Sequence, residues 1–587
     1  MFNKNKIMGL KIYQYKTGNG LLFLKKWVLI FLLVTACAKQ GMPPGGPVDK
    51  TPPRIIKTIP DTNSTFVDPN IRVEVVFNEW LNSRTVEDAV FISPYVGDDV
   101  KIKTGGKKII ISFPQPLKKE FTYVITFGTN IKDTHNNGLE KSFTLAFSTG
   151  GRLDKGEIKG KVYGEKNAKG INVWAYLLSG ANEVNPSVSE PDYIIQCEEG
   201  GDFHLTHISL GEYRLFAIED RIADRLYSKG EDRIGLTYSD VFIPFEEPHI
   251  ADSIFFRMFL QDTLRPALTR AVSVNKYLVQ LLFDQPIRFD KQTYQDNVAI
   301  YPVQDSLNTL TIKNYFVDPN DNRSIQVLTE PLSEGEYIAR VKGIVSISGN
   351  PIDPEFNTVE FNAAPEEDTK NPEIIRFIPS PGQKDVFSDQ DIRLVFNEAI
   401  DTTVFNQGFS LIDTLTGSIS GVFKWINPAE VSFIPEKDFK SLRVYKVKLS
   451  GKWIKDRSGN SMTDTLYHFK TINKDTLSGI SGTIIDPDTL GQGDVYVNLN
   501  HIENEEIYYQ QKTNSTGNFK FSKILPGQYT ISCFSDKDSS GNYSYGNPYP
   551  FRAAERFIVY SDTVLAKPRW PNAGNNIILP SYQHGQE

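Results

Sequence analysis

The feature that most constrains this chain is a pattern that repeats three times along its 587 residues. One copy begins PPRIIKTIP at 52–60 and continues IRVEVVFNE at 71–79, and another has NPEIIRFIP at 371–379 and IRLVFNE at 392–398. A shorter copy, YLVQLLFDQP, occupies 277–286. Alternation of apolar and polar residues in these segments is typical of a strand with one buried face. A repeated strand-rich unit predicts several small β domains rather than one large core.

The three copies also end in the same way, with a turn between two apolar segments. The turns are Asn136-Asn137-Gly138, Ser348-Gly349-Asn350 and Ser458-Gly459-Asn460. Gly and Asn tolerate positive φ, so these turns can join neighbouring strands tightly. The aromatic content of 12% also favours strands, because aromatic rings pack well on pleated surfaces.

A second repeat fills the gaps between copies of the first. Two glycine-led segments ten residues apart, GDFHL and GEYRL, begin at Gly201 and Gly211, and GNFKF and GQYTI begin at Gly517 and Gly527. Matching apolar segments, IKGKV at 158–162 and ISGTI at 480–484, precede them. The equal spacing predicts two modules of one fold.

The N-terminus has the pattern of an export signal. Lys25 and Lys26 precede the apolar residues 27–33, which are well short of the ~20 residues that span a bilayer. The segment VTAC at 34–37 resembles the lipobox of bacterial lipoproteins, in which the Cys is acylated and becomes the first residue. That resemblance implies lipid on Cys37 and anchoring to the outer membrane, on either its periplasmic or its surface face. An ordinary signal peptide with an incidental Cys is the alternative, and Met1 and Met8 are both candidate starts.

The two repeats resemble known families. The first resembles the bacterial Ig-like domain first associated with S-layer proteins, through its Pro-Pro start, Phe-x-Glu strand end, Asp-x-x-Gly-Asn turn and closing Phe-x-Thr. The second resembles the small β-sandwich family of carboxypeptidase-regulatory and transthyretin-like domains, which implies a structural module. With the lipobox and the GGPVD segment at 45–49, the whole resembles a lipoprotein type common in Bacteroidota, which implies no established activity.

These resemblances imply an all-β fold, a tandem array of Ig-like and regulatory-like β-sandwich domains behind a lipoprotein signal peptide. We expect the five modules to project as a semi-rigid rod. The predicted segments are a signal peptide (1–36), a lipidated Cys and tether (37–50), Ig-like module 1 (51–150), regulatory-like module 2 (151–262), divergent Ig-like module 3 (263–367), Ig-like module 4 (368–474) and regulatory-like module 5 with the C-terminal tail (475–587).

The charge balance argues against nucleic acid as a partner. The chain has 64 basic and 71 acidic residues, a net charge of -7. All charged residues in 1–36 are lysines, so a chain beginning at Cys37 has a net charge of -13. A surface that acidic does not favour a phosphate backbone.

Motifs that would indicate catalysis are not found in the sequence. We find no His-Glu-x-x-His, Cys-x-x-Cys, Gly-x-Ser-x-Gly or phosphate-binding loop, so we predict neither an enzyme nor a cofactor. The carboxylates of Glu79 and Glu398, in the two Phe-Asn-Glu segments, are expected to satisfy backbone donors where a strand ends. Cys197 and Cys533 are expected to be buried free thiols rather than a disulfide.

Two further patterns leave alternatives open. Asp536 and Asp538 begin a calcium-like loop, but position twelve is Asn547 rather than Glu, so a solvated hairpin turn is the favoured interpretation. Asp-Ser/Thr-hydrophobic triplets resemble an O-glycosylation signal of Bacteroidota, and turn-to-strand chemistry explains them equally well. The hydroxyl residues of these triplets are Ser253, Thr263, Ser306, Thr402, Thr414, Thr465, Thr476, Thr489 and Thr563.

Taken together, the sequence predicts a lipid-anchored, non-enzymatic envelope protein that acts as a scaffold or adhesin-like binding module for envelope proteins or glycans. The alternative is a glycan- or substrate-binding accessory lipoprotein of an outer-membrane uptake system. Exposed aromatic residues on one module face would support that alternative, and the tyrosine-rich residues 542–549 are the best candidate patch.

Overall fold

The computed structural model describes residues 49–97, 99–164, 167–178, 183–289, 297–305, 308–363, 366–488 and 494–582. The chain divides into two units, Met1–Thr51 and Pro52–Glu587. Within the described part of the first unit, the Thr51 amide donates to Asp49 Oδ1 at 2.9 Å. Cys37, the signal peptide, both candidate starts and nearly all of the tether lie outside the described residues. In the ranges given above, no helix combines the length and hydropathy needed to cross a membrane.

Module 1 packs two antiparallel sheets face to face, with strand orders β1-β2-β5-β4 and β3-β6-β7. Alternation along β2 turns Val73, Val75 and Phe77 into the core, where all three are fully buried. The elements are β1 Ile55–Ile59, β2 Arg72–Phe77, 3₁₀ turns Ser83–Thr85 and Glu87–Ala89, β3 Val90–Ser93, β4 Lys101–Gly105, β5 Lys108–Ser112, β6 Thr122–Phe127 and β7 Phe143–Ser148.

Module 2 has a sheet of order β10-β9-β12-β13-β16, with β14 also pairing β12, and a second sheet of order β11-β8-β15 in which β15 runs parallel to β8. Both glycine-led segments of the repeat form strands, β11 and β12. The strands are β8 Gly156–Tyr163, β9 Asn172–Leu177, β10 Tyr193–Gln196, β11 Asp202–Ile208, β12 Glu212–Glu219, β13 Arg233–Leu236, β14 Val241–Phe242, β15 Ile250–Arg257 and β16 Phe259–Leu260.

Module 3, the divergent copy, has the same four-stranded order as module 1, β17-β18-β22-β21, against β20-β23-β25. A small pair, β19-β24, is added. Module 3 has Phe283-Asp284-Gln285 where the other copies have Phe-Asn-Glu, and this difference leaves the sandwich intact. The elements are β17 Leu268–Asn275, β18 Leu278–Phe283, β19 Ile287–Phe289, β20 Val298–Pro302, β21 Ile312–Val317, β22 Ser324–Thr329, β23 Gly335–Val341, β24 Ile344–Ser346, a 3₁₀ turn Pro354–Phe356 and β25 Thr358–Ala363.

Module 4 repeats the order of module 1 in its first sheet, β26-β27-β31-β30, and packs it against β29-β28-β32-β33. The elements are β26 Ile374–Ile378, β27 Ile392–Phe396, helix α1 Phe405–Gly408, β28 Phe409–Asp413, β29 Gly417–Ser418, β30 Gly421–Asn427, β31 Glu430–Pro435, β32 Val444–Leu449, β33 Thr465–Lys470 and a 3₁₀ turn Lys474–Thr476.

Module 5 matches module 2, with sheets β37-β34-β41 and β36-β35-β38-β39, β40 also pairing β38, and β41 parallel to β34. The strands are β34 Ser478–Ile485, β35 Asp494–His501, β36 Tyr508–Lys512, β37 Asn518–Ile524, β38 Gly527–Asp536, β39 Phe557–Val559, β40 Val564–Ala566 and β41 Asn572–Ile578. The all-β array of sandwiches is thus confirmed, while the exact module boundaries stay predictions.

The modules do not contact only their neighbours in sequence. Modules 2 and 5 pack directly together: the Ala554 amide donates to Thr237 O at 3.0 Å and Tyr238 Oη donates to Ser581 O at 2.8 Å. A rod in which each module touches only the next is therefore wrong. The physical reason is the apolar outer face of module 2, which a linear arrangement would leave in water.

Candidate functional site

The contact between modules 2 and 5, which we call the docking face, is a surface that the repeats alone did not predict. Trp174 and Tyr176 on β9 and Phe216 and Ile218 on β12 form a second apolar layer outside the module 2 core, and all four are buried. Tyr543, Phe551 and Ala554, from residues 541–556 of module 5 (the covering segment), pack against this layer, together with Phe91 of module 1 and Tyr227 of module 2. Burial of these aromatic side chains removes apolar surface from water and stabilises the contact between the two modules.

Ring contacts set the geometry of the docking face. The Phe551 ring lies edge-on to Phe216 at 6.2 Å, and the Arg214 guanidinium stacks over Phe551 at 3.9 Å. Arg214 is held in place by a bidentate pair with Asp240, at 2.8 and 2.7 Å. Tyr545 packs on Phe259 at 4.8 Å. The tyrosine-rich segment proposed as a glycan patch therefore belongs largely to this contact.

Module 5 anchors the covering segment with a buried ion cluster. Arg556, whose side chain is fully buried, donates to Asp486 at 2.6 Å and to Asp488 at 2.7 Å. Its ring neighbour is Tyr582, with the guanidinium 4.6 Å from the ring centre. Moving Arg556 away from these carboxylates would leave buried charges without partners, which is costly. The cluster therefore fixes the position at which the covering segment ends and β39 begins.

The candidate calcium ligands, Asp536 and Asp538, lie just before residues 541–556. Asp536, Asp538 and Glu555 each place a carboxylate oxygen within 4.8 Å of the others. Backbone amides already donate to these groups: Ser540 and Gly541 to Asp536, and Lys537 and Ser544 to Glu555. Donors pointing at the carboxylates favour the turn interpretation, and calcium binding stays a prediction.

The two Phe-Asn-Glu segments use the asparagine, not the glutamate, to close the strand. Asn78 Oδ1 accepts from the Arg54 amide at 2.5 Å, and Asn397 Oδ1 accepts from the Glu373 amide at 2.8 Å. The expectation that the glutamate satisfies the backbone donor was wrong, because the shorter amide side chain reaches it first.

Glu398 instead lies in an acidic cluster that sequence reasoning missed. Its carboxylate is within 4.8 Å of those of Asp368 and Asp456. Burial, and then the charges of Asp368 and Asp456, raise the pKa of Glu398 to about 8. Asp456 also holds the predicted turn, accepting from the Asn460 amide at 2.8 Å and from its Nδ2 at 2.7 Å. The Asp of the Asp-x-x-Gly-Asn turn was the signal that could have located this cluster.

The triplet hydroxyls lie mostly at the surface. Ser306 and Thr489 fall outside the described residues, Thr465 is half-buried, and the other six are exposed. Turn chemistry is present as well: Thr476 Oγ1 donates to Asn473 O at 2.7 Å, and Asp413 Oδ1 accepts from the Leu415 amide at 2.9 Å. Both interpretations therefore stand, and glycosylation stays a prediction.

Cys197 and Cys533 are buried free thiols, as expected. Burial raises the pKa of each thiol to about 12. A thiol held neutral in this way is a poor nucleophile, so both residues serve the module cores.

Comparison with known families agrees with this architecture. The family described as Bacterial Ig-like domain matches residues 49–149 and 368–471, and the family described as BOS complex subunit NOMO1-like, second beta sandwich domain, matches residues 478–538. No curated protein sequence matches the chain.

Several solved structures are similar at low identity. L,D-transpeptidase 3 from Mycobacterium tuberculosis, with a faropenem-derived adduct, is 12% identical over 24% of this chain and 45% of its own, with a TM-score of 0.13. The N-terminal part of the S-layer protein SbsC is 15% identical over 35% of this chain and 44% of its own (TM-score 0.16), and SbsC domains 1–6 are 9% identical over 88% and 67% (TM-score 0.15). This chain thus spans less than half the length of the first of these structures. The family matches and the strand orders together identify an all-β tandem array of Ig-like and related β-sandwich modules.

Proposed function

We propose that this chain is a lipid-anchored, non-enzymatic scaffold of the cell envelope that holds partner molecules on an adhesin-like array of modules. The observation that carries the proposal is the docking face, which fixes two modules far apart in sequence against each other. Ig-like and related sandwiches are typical of structural proteins, and function in such arrays lies on the loops and faces that the rigid cores present.

Carboxylates that accept from backbone amides support a structural role. Asp133 and Asp456 hold equivalent turns in modules 1 and 4, and Asp536 and Glu555 hold the covering segment of module 5. Carboxylates committed to backbone amides are poor general bases. The partners we propose are envelope proteins or glycans reached from the outer membrane, with no role for nucleic acid, given the net charge of -13 after residue 36.

Lipid anchoring through Cys37 is tested by metabolic labelling with an alkynyl fatty acid in the native host. We expect the label on the full chain and its loss in Cys37→Ser, with Cys197→Ser as the matched control that keeps it. Label retained by Cys37→Ser, or absent from the full chain, would rule out the anchor.

The scaffold role is tested by crosslinking in intact cells, followed by pull-down and mass spectrometry. We expect a defined set of envelope partners that is lost when the docking face is disrupted by Phe551→Ala. Partners unchanged by that variant would mean that the docked arrangement does not carry the function. Protease shaving of intact cells assigns the face of the membrane.

A further inference from the structure

A polar cleft of about 390 Å³ opens beside the docking face, between modules 2 and 5. Its size lies in the range of small-molecule sites, roughly 300–1,000 Å³. Neither module forms it alone, since its walls come from segments about 300 residues apart in the chain. It lies at the polar edge of the docking face and shares Tyr545 with it.

One wall is the outer face of the sheet formed by β36, β35 and β38. Asn498 and Asn500 lie two residues apart on β35, so both side chains stand on the same face. Tyr508 lies opposite Asn500, and Ser532 lies opposite Asn498. Tyr508 Oη donates to Asn498 Oδ1 at 2.9 Å, which orients the amide. This wall is a row of hydroxyl and amide groups beside an aromatic ring.

The other wall comes from module 2 and carries positive charge. Arg257 ends β15 opposite Tyr163, and its guanidinium stacks at 4.6 Å from the Tyr543 ring and 4.8 Å from the Phe557 ring. Arg233, which begins β13, is the second cation. These contacts hold the Arg257 guanidinium in a fixed position in the wall of the cleft.

The charge of the cleft selects the kind of ligand. Two guanidinium groups line it, and among the described residues no carboxylate does. Arg233 pairs with Glu219 at 3.7 Å. The Arg257 guanidinium, held against two aromatic rings in a chain of net negative charge, favours a carboxylate or another anion in the ligand.

We infer that this cleft binds an acidic oligosaccharide, with ring faces against Tyr508 and Tyr545, hydroxyls on Asn498 and Asn500, and a carboxylate at Arg257. Amide side chains two residues apart on a strand lie about 7 Å from each other, a spacing that suits successive hydroxyls on an extended ligand. A free phosphate would use only the arginine end of the cleft. The inference rests on the proposed function in that it names one class of glycan partner, and its failure would leave the scaffold role and its protein partners standing.

The test is calorimetric titration of the full chain with tetragalacturonic acid, with maltotetraose as the neutral sugar and inorganic phosphate as the small anion. We expect measurable binding of the acidic tetramer alone. Tyr508→Ala and Asn500→Ala should each weaken that binding at least about tenfold, because both remove contacts from exposed positions.

Tyr95→Ala, at an exposed tyrosine of module 1, is the matched control and should bind like the native chain. Melting curves of all variants establish that they remain folded. The inference is overturned if tetragalacturonate fails to bind at about 5 mM. It is also overturned if binding survives both cleft substitutions, or if maltotetraose or phosphate binds as tightly as the acidic tetramer.

Discussion

Modules 2 and 5 share one fold but present opposite outer faces. Tyr213 pairs with Leu177 in module 2, and Tyr529 pairs with His501 at the equivalent place in module 5. Counting along the strands from these pairs, Trp174 and Phe216 of module 2 correspond to Asn498 and Ser532 of module 5. The first pair is apolar and buried under the other module, whereas the second lines the polar cleft. The inner face of a sandwich determines whether it folds, and the outer face determines what it contacts.

The largest loss of stability is expected when a residue on the outer face of module 2 is replaced by its counterpart in module 5. Phe216→Ser exchanges a fully buried ring for the residue found at the equivalent place and leaves a cavity under residues 541–556. We expect the free energy of unfolding of module 2 to fall by about 4 kcal/mol. Urea unfolding followed by tryptophan fluorescence measures it, with the exposed Phe356→Ala as control. A loss below about 1 kcal/mol would contradict the buried docking face.

The second largest loss of stability is expected from removing Arg556, which anchors the covering segment. Arg556→Met leaves Asp486 and Asp488 without their buried cation, so module 5 should lose about 3 kcal/mol of stability. Arg569→Met is the matched control, because Arg569 pairs with Asp475 at the surface and should cost at most about 1 kcal/mol. Equal effects in chemical denaturation would mean that burial of Arg556 contributes nothing.

A smaller change separates docking from folding. Phe551→Ala removes a ring contact with Phe216 and the platform under Arg214 without touching either module core. We expect about 1–2 kcal/mol of lost docking free energy and faster proteolysis of residues 541–556. Leu565→Ala, exposed on β40, should leave the cleavage rate unchanged. Unchanged cleavage in Phe551→Ala would show that this ring does not hold the segment.

The smallest effect concerns pH, and it lies outside the docked pair. The pKa of Glu398 is raised to about 8, so between its ordinary value and 8 the folded state holds a proton that the unfolded state releases. The stability of module 4 should therefore fall as pH rises from about 5 to 8, lowering its melting temperature by a few degrees.

Glu398→Gln should flatten that dependence and stabilise module 4 at pH 8, while the exposed Glu436→Gln should not. Calorimetric melting at the two pH values measures both. A native profile that is flat over this range, or one that Glu398→Gln leaves unchanged, would contradict the raised pKa.

The sequence predicted the sandwiches well, because their inner faces follow a local period of two and their turns carry Gly or Asn at fixed places. The outer face of module 2 left a signal too. Residues 173–176 and 215–218 are continuous apolar runs, which are typical of strands buried on both faces. The identity of the covering segment had no such local signal, since it lies more than 300 residues away and its tyrosines suit an exposed patch equally well.

The acidic cluster of module 4 escaped prediction for a similar reason. Asp368, Glu398 and Asp456 come from three separate loops, and only the folded sandwich brings their carboxylates together. Spacing along the chain identified the turn at Asp456 but not its neighbours.

The docking of modules 2 and 5 makes the intervening modules 3 and 4 a covalent tether. Such a tether gives the two faces a high effective concentration, so their contact persists even if the separated surfaces would bind each other weakly. A single cleavage between modules 3 and 4, near residues 366–371, would remove that covalent link and leave the arrangement to the contacts between modules, among them the apolar cluster of Leu278, Phe316 and Leu328 of module 3 with Ala399 and Ala429 of module 4. Proteolysis at that linker would then show whether the packing between modules alone keeps modules 2 and 5 together, with every module still folded.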